Sequence, residues 1–270
     1  MFKKYGLTVG INDYPGTSSD LSGCVNDAMD MRHFLEDHDV DVETLIDARA
    51  TKSAILEAMT RLVKITGYRD TLYIHYSGHG TWIPDRNGDE VDGRDEALVA
   101  YDFQNGGLIT DDELYDVFKQ RKFGSRIFFF SDSCFSGTVT RGFDFVEPET
   151  HWSRPASDKK KKFLPPNNFL TGYELARATV VQFETPKTTI SRNSGILISG
   201  CAEYEYSYDA WFNNRPNGAF TKTLLDAYQP GMTSRQWHAA VRKILPSDDY
   251  DQRPQLQGTW WQKNRWKVFR

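Results

Sequence analysis

Cys134 and His79 are the residues in this 270-residue chain whose types and placement could do covalent chemistry. Cys134 stands where the apolar run Arg126–Asp132 (RIFFFSD) gives way to a Ser/Gly loop. His79 stands in Ser77-Gly78-His79-Gly80, just past another apolar run. Cysteine catalysis needs a thiolate, an imidazole to generate it, and N–H donors aimed at a developing oxyanion. Flanking glycines let a substrate backbone come close and leave N–H groups free, so Gly80 and Cys134 N–H are the expected donors. Taken singly, Cys134 reads as a buried structural thiol and His79 as a turn residue. Taken together at strand ends, they read as a nucleophile and its base, with a backbone carbonyl orienting the imidazole.

The elements that must hold this pair follow from hydrophobic periodicity. Strands are expected at Tyr5–Ile11, Val42–Ile46, Asp70–Tyr76, Arg126–Asp132 and through Ile196–Ser199. Helices are expected at Cys24–Glu36, from a Thr51 N-cap to Ile65, and at Thr110–Lys119, Phe220–Ala227 and Ser234–Ile244. Strands alternating with amphipathic helices mean an α/β domain with a mostly parallel sheet, whose chemistry gathers at the carboxyl ends of the strands. Thr81–Gly93 reads as a turn-rich acidic loop. Gly142–Phe169 reads as a mobile basic insert between a larger part (about 1–141) and a smaller part (170–270) of one domain.

Composition narrows the class. With 33 Lys+Arg against 37 Asp+Glu the net charge is −4, which argues against a general nucleic-acid binder. No apolar run is long enough to span a membrane. Three scattered cysteines, Cys24, Cys134 and Cys201, make neither a disulfide framework nor a CxxC metal site. Together with an N-terminus lacking a secretory pattern, they point to a reducing, cytoplasmic setting. His75 and His79 are four apart on a strand, unlike the two histidines of a helical zinc motif, and His75 reads as a sheet-face residue.

Tyr76-Ser77-Gly78-His79-Gly80 and Asp132-Ser133-Cys134-Phe135-Ser136-Gly137 resemble the two active-site motifs of metacaspases, the caspase-like cysteine peptidases. The likeness continues in Val9–Asn12 with Leu21–Ala28, in Asp89–Leu98, in Ile198–Glu203 and in Gly218–Thr221, covering about residues 5–230 in order. The animal-caspase Gln-Ala-Cys signature is missing around Cys134. The resemblance is to the prokaryotic, type I-like kind, with no prodomain expected before Tyr5. It implies the caspase–haemoglobinase fold, a three-layer α/β/α sandwich, with a Cys134/His79 dyad cleaving peptides after Arg or Lys. Asp27, Asp132, Ser77 and Cys24 match positions lining the first specificity pocket, and two carboxylates suit a basic side chain. Read bottom-up, Asp27 is otherwise a surface helix residue and Asp132 a helix cap.

Asp95, Asp111 and Asp112 match the calcium-binding aspartates of calcium-dependent metacaspases, and hard oxygen ligands suit Ca²⁺. The further aspartate usual after the nucleophile is replaced near Arg141, with Asp144 the nearest substitute. Asp85-x-Asn87-x-Asp89 with Glu96 imitates an EF-hand, but Glu90 occupies the position that needs glycine. The insert carries Arg154 and Lys159–Lys162, residues of the type the pocket accepts, so cutting there by the enzyme itself or by an upstream activator is expected. The Trp260, Trp261 and Trp266 tail reads as a last strand and tail packed onto the domain, with its Lys and Arg side chains turned outward. The alternative function is a catalytically silent caspase-like scaffold.

Overall fold

The computed structural model describes residues 2–84, 94–134, 159–170, 195–202 and 205–269. Asp85, Asn87, Asp89, Glu90, Asp92, Arg141, Asp144, Arg154 and Glu203 lie outside the described residues. In chain order the strands are β1 (Lys4–Gly10), β2 (Asp41–Ile46), β3 (Thr71–Ser77), β4 (Gly80–Pro84), β5 (Arg94–Val99), β6 (Leu108–Thr110), β7 (Arg126–Asp132), β8 (Lys160–Lys161), β9 (Ile196–Ser199), β10 (Tyr208–Phe212), β11 (Arg215–Gly218) and β12 (Gln255–Gln257). The helices are α1 (Cys24–Glu36), α2 (Lys52–Ile65), α3 (Asp111–Phe118), α4 (Ala219–Asp226), α5 (Ser234–Val241) and α6 (Trp260–Arg265).

The main sheet has the order β12-β9-β7-β3-β1-β2. Every pairing in it is parallel except β12 with β9. Parallel strands buried on both faces need continuous apolar runs, which Phe128–Phe130 and Leu72–Ile74 supply. Successive residues point to opposite faces. Leu72, Ile74, Ile127 and Phe129 therefore pack with Ile55, Met59, Leu62 and Val63 of α2 and Leu114 and Phe118 of α3. Tyr73, Phe128 and Phe130 pack the other way, onto Met31 and Leu35 of α1, Phe220 and Leu224 of α4 and Trp237 of α5. The result is a three-layer α/β/α sandwich.

The helix ends follow the expected chemistry. The Thr51 side chain accepts from Ala54 N, and Thr110 with Glu113 and Thr233 with Gln236 form capping boxes. Three segments differ from expectation. The first part of Thr81–Gly93 is not a loop: β4 pairs antiparallel with β5, because Arg94–Val99 offers its backbone a full ladder. The C-terminal tail runs through β12 into a short helix, α6, capped by Thr259 and Gln262, rather than a strand. Its Trp266 packs into the core as expected, whereas Trp260 and Trp261 are 63% and 58% exposed. Finally, residues 159–169 of the basic insert are docked on the sheet's active edge: β8 pairs with β10, and Lys162 is fully buried.

Candidate active site

The site forms where β3 and β7 end side by side, with Ser77 opposite Asp132 in the parallel register. His79 and Cys134 lie just beyond, on adjoining turns. An added Cβ at Gly80 would fall 1.9 Å from the Cys134 carbonyl oxygen, so only glycine lets the two turns meet. The His79 backbone is held at both ends. Its N–H donates to Tyr14 Oη at 2.7 Å, and its carbonyl accepts from Tyr76 Oη at 2.7 Å and Val99 N at 3.0 Å.

The imidazole orientation comes from Ser19, whose carbonyl oxygen lies 2.6 Å from His79 Nε2. A carbonyl can only accept, so Nε2 carries the proton and Nδ1 keeps its lone pair. Nδ1 is buried with no hydrogen-bond partner. Burial lowers the His79 pKa to about 4, although the Ser19 and Lys162 carbonyls pull the other way. At neutral pH the ring is therefore an uncharged base with its accepting nitrogen available. Cys134 is fully buried, and its Sγ accepts from Ser207 N at 2.6 Å.

The chain itself occupies the cleft. The Lys162 carbonyl oxygen accepts from Gly80 N at 3.0 Å and from Cys134 N at 3.2 Å. Its N–H donates to Ser207 O at 2.9 Å. Its side chain enters a closed pocket, where Nζ meets Asp27 Oδ2 at 3.0 Å, Asp132 Oδ2 at 3.0 Å and Ser77 Oγ at 2.8 Å. Three donors thus meet three acceptors, which a buried ammonium requires. All three charged side chains are 0% exposed. On the far side, Leu164 N donates to Gly80 O at 3.0 Å, and Thr81 Oγ1 donates to Leu164 O at 2.7 Å.

The carboxylates are fixed by residues remote in sequence. Asp27 sits in the first turn of α1, whose N-terminal N–H groups are met from outside: Asn12 Oδ1 accepts from Cys24 and Val25, and Asp209 from Ser22 and Gly23. Asp27 accepts from Gly218 N, Asn217 Nδ2 and Ser77 Oγ, and Asp132 from Thr221 N, Thr221 Oγ1 and Ser207 Oγ. Burial pushes the Asp132 carboxyl up. The Lys162 ammonium and the surrounding hydroxyls outweigh that, so it ends below its ordinary value. Burial pulls the Lys162 ammonium down, but the neighbouring carboxylates raise it well above its ordinary value. A Cβ on Gly218 would lie 2.1 Å from Asp132 Oδ2 and 2.3 Å from Lys162 Nζ, so glycine keeps this wall of the pocket open.

The structure thus brings together His79, Gly80, Cys134, Asp27, Asp132 and Ser77. Cys24 joins them: its buried thiol lies beside Ser77 and the Lys162 ammonium, and burial pushes it up. Asp27 is buried rather than a surface residue, and Asp132, also buried, both lines the pocket and accepts from Thr221 N in the first turn of α4. Ser207, Thr221, Asn217, Gly218, Tyr14 and Ser19 complete the site but carried no site assignment from sequence. Gly218 and Thr221 lay within a family-like motif and were open to such a reading. Ser19 had no signal, because it contributes a backbone carbonyl, and Ser207 had little, because two of its contacts are backbone atoms and only its hydroxyl, on Asp132, is a side-chain group. His75, also buried, bonds Thr221 Oγ1 at 3.1 Å, consistent with a sheet-face residue.

Asp95 is buried on β5, and Asp111 and Asp112 open α3, where acidic side chains suit the helix N-terminus. Among the described residues no three His, Cys, Asp or Glu side chains come together to hold a metal ion.

The caspase domain model matches residues 3–264 of this sequence. The chain belongs to the caspase-domain family. It is similar to the metacaspase-1 of Mycosarcoma maydis, with 32% identity over 94% of this chain and 70% of that protein. It is 42% identical to the metacaspase-1 of Cryptococcus neoformans, over 94% of this chain and 62% of that protein. A crystal structure of a Geobacter sulfurreducens protein superposes with a TM-score of 0.71 at 27% identity, covering 99% of this chain and 100% of that one. The protein is a caspase-like cysteine peptidase, and no described helix is long and apolar enough to cross a membrane. The caspase-family cleft described above holds one of the peptidase's own lysines.

Proposed function

We propose that this peptidase cleaves peptide bonds after Lys or Arg, and that its first substrate is its own Lys162–Phe163 bond. One observation carries the reading. The Lys162 ammonium sits on Asp27, Asp132 and Ser77 while its carbonyl oxygen sits between Gly80 N–H and Cys134 N–H. Cys134 gives its thiol proton to His79 Nδ1, and the sulfur attacks the Lys162 carbonyl carbon. The C–S bond forms as the carbonyl oxygen takes negative charge, stabilised by the two N–H donors. The C–N bond then breaks, and His79 returns the proton to the leaving amine of Phe163. Water, deprotonated by His79, hydrolyses the thioester.

Until that bond is cut, the seated segment fills the pocket, so the intact chain is latent. Asp27 and Asp132 favour a cation before the scissile bond and repel an aspartate. Calcium is proposed as a second control acting through Asp95, Asp111 and Asp112. No step of the chemistry runs through it, and hydrolysis compared in excess EGTA and millimolar CaCl₂ tests it. Fluorogenic peptides differing only in the residue before the scissile bond test the specificity, and faster cleavage after Asp than after Arg rejects it. Intact-mass analysis tests the self-processing. Wild type should give fragments ending at Lys162 and beginning at Phe163, while Cys134→Ala stays whole. Cutting of Cys134→Ala by a different protease would place the trigger in an upstream partner. An arginyl chloromethyl ketone that fails to label Cys134 would favour the silent scaffold.

A further inference from the structure

The residues that precede Lys162 are also received by the protein. Lys160 and Lys161 add to β10 as an antiparallel strand, with Lys161 opposite Tyr208 and Lys160 opposite Asp209. Strand addition fixes the backbone and sends alternate side chains to opposite sides. Each of the three ammonium groups then ends on a partner. Lys161 Nζ lies 4.1 Å from the centre of the Tyr206 ring. Lys160 Nζ donates to Asp20 O at 2.7 Å. Lys159 Nζ donates to Asp249 O at 2.6 Å and lies 5.3 and 5.7 Å from the Tyr208 and Tyr250 ring centres. Those two rings stand 6.0 Å apart, and Tyr208 is braced by its hydroxyl donating to Asp251 Oδ1 at 2.8 Å. A solvated lysine run would have no reason to end on a ring or carbonyl at every position.

We propose that the surfaces under Lys159–Lys161 are substrate subsites for basic side chains, so that the enzyme selects polybasic peptide segments, with Tyr208, Tyr250 and the Asp249 carbonyl forming a cage for the fourth residue before the cut. The proposal rests on Lys162 occupying the primary pocket and extends that reading by three residues. The cage combines two π faces with a carbonyl acceptor and is only partly buried. A cation–π contact at such a site changes binding by about fivefold. The Lys161 subsite on Tyr206 is the more exposed, and its expected effect is smaller.

The test uses the whole chain after self-processing, checked by intact mass, and acetylated tetrapeptide coumarylamides that all end in Lys: KKKK, AKKK, KAKK and KKAK. Expected is a drop in kcat/KM of about fivefold from KKKK to AKKK. Tyr250→Ala should remove that preference while leaving AKKK hydrolysis unchanged, which also shows the variant is folded. Tyr250→Phe should retain it, since the ring face and not the hydroxyl meets the ammonium. Equal rates for KKKK and AKKK overturn the subsites and leave the primary pocket standing. So does a Tyr250→Ala variant that slows both peptides alike. Failure to cleave any of the four, with cleavage of an Asp-terminated peptide, overturns the primary-pocket reading and the subsites with it.

Discussion

One face of β3 and β7 buries two opposite kinds of group within a few residues. Toward the middle of the sheet, Tyr73, Phe128 and Phe130 meet Trp237, Trp266 and Phe269 in a continuous aromatic packing. At the carboxyl end of the same face, Ser77 and Asp132 meet Asp27 and Lys162. Rings tolerate many neighbours, and their contacts here range from stacked to edge-on. Buried charge tolerates few, because every ammonium hydrogen and carboxylate lone pair left alone costs several kcal/mol. The aromatic end therefore holds the fold, and the charged end holds a specific occupant.

The comparison sharpens if each end is broken separately. Trp237→Ala removes a fully buried side chain and its bond to Leu224 O at 2.7 Å. Unfolding free energy should fall by about 4 kcal/mol in urea titration, with the proposed Arg-over-Asp preference of the surviving activity unchanged. Asp27→Asn keeps the shape of the charged end but removes one of its two carboxylates. Its kcat/KM on Lys peptides should drop about a hundredfold, matching a loss of about 3 kcal/mol from a buried pair. A drop of less than threefold would mean the pocket is wet.

The histidines at the boundary add a pH dependence. Burial lowers the His75 pKa to about 3 and that of His79 to about 4. Both stay neutral in the folded state where the unfolded chain, with pKa near 6.5, binds protons. Folding stability is thus full above pH 6.5 and falls as the pH drops toward 4. Asp27 and Asp209, raised by burial, work in the opposite sense. Asp132, held below its ordinary value by Lys162, adds to the histidine effect, and stability should be lower at pH 4.5 than at pH 7, measured by urea titration of Cys134→Ala. A flat profile would place the imidazoles in solvent. The smallest effect belongs to the surface pair of Arg61 and Glu43, both half exposed or nearly so. Arg61→Ala should cost less than about 0.5 kcal/mol, whatever either end of the sheet requires.

Much of the architecture was written locally. The span of α1 agrees with its hydrophobic stripe from Cys24 to Glu36, and that of β7 with the run Arg126–Asp132. Thr51 caps α2 as its hydroxyl and position require. That Cys134, His79 and Gly80 meet at the ends of β3 and β7 was legible, because residue type beside a strand end marks such a place. The strands β4, β5, β6, β8, β10, β11 and β12 were not legible. Each is short, and each is defined by a partner's ladder rather than by its own periodicity.

Lys159–Lys162 marks the limit most plainly. Four consecutive lysines carry no periodicity, and a charge run of that kind reads as solvated surface. Residue types alone determined that this segment carries four adjacent basic side chains. Only the tertiary structure decided that Lys162 is buried. Its partners are Asp27 on α1, Ser77 at the end of β3 and Asp132 at the end of β7. The burial of a charge is set by whether distant groups converge to match its donors, and that convergence is a property of the sheet order rather than of any stretch of the chain.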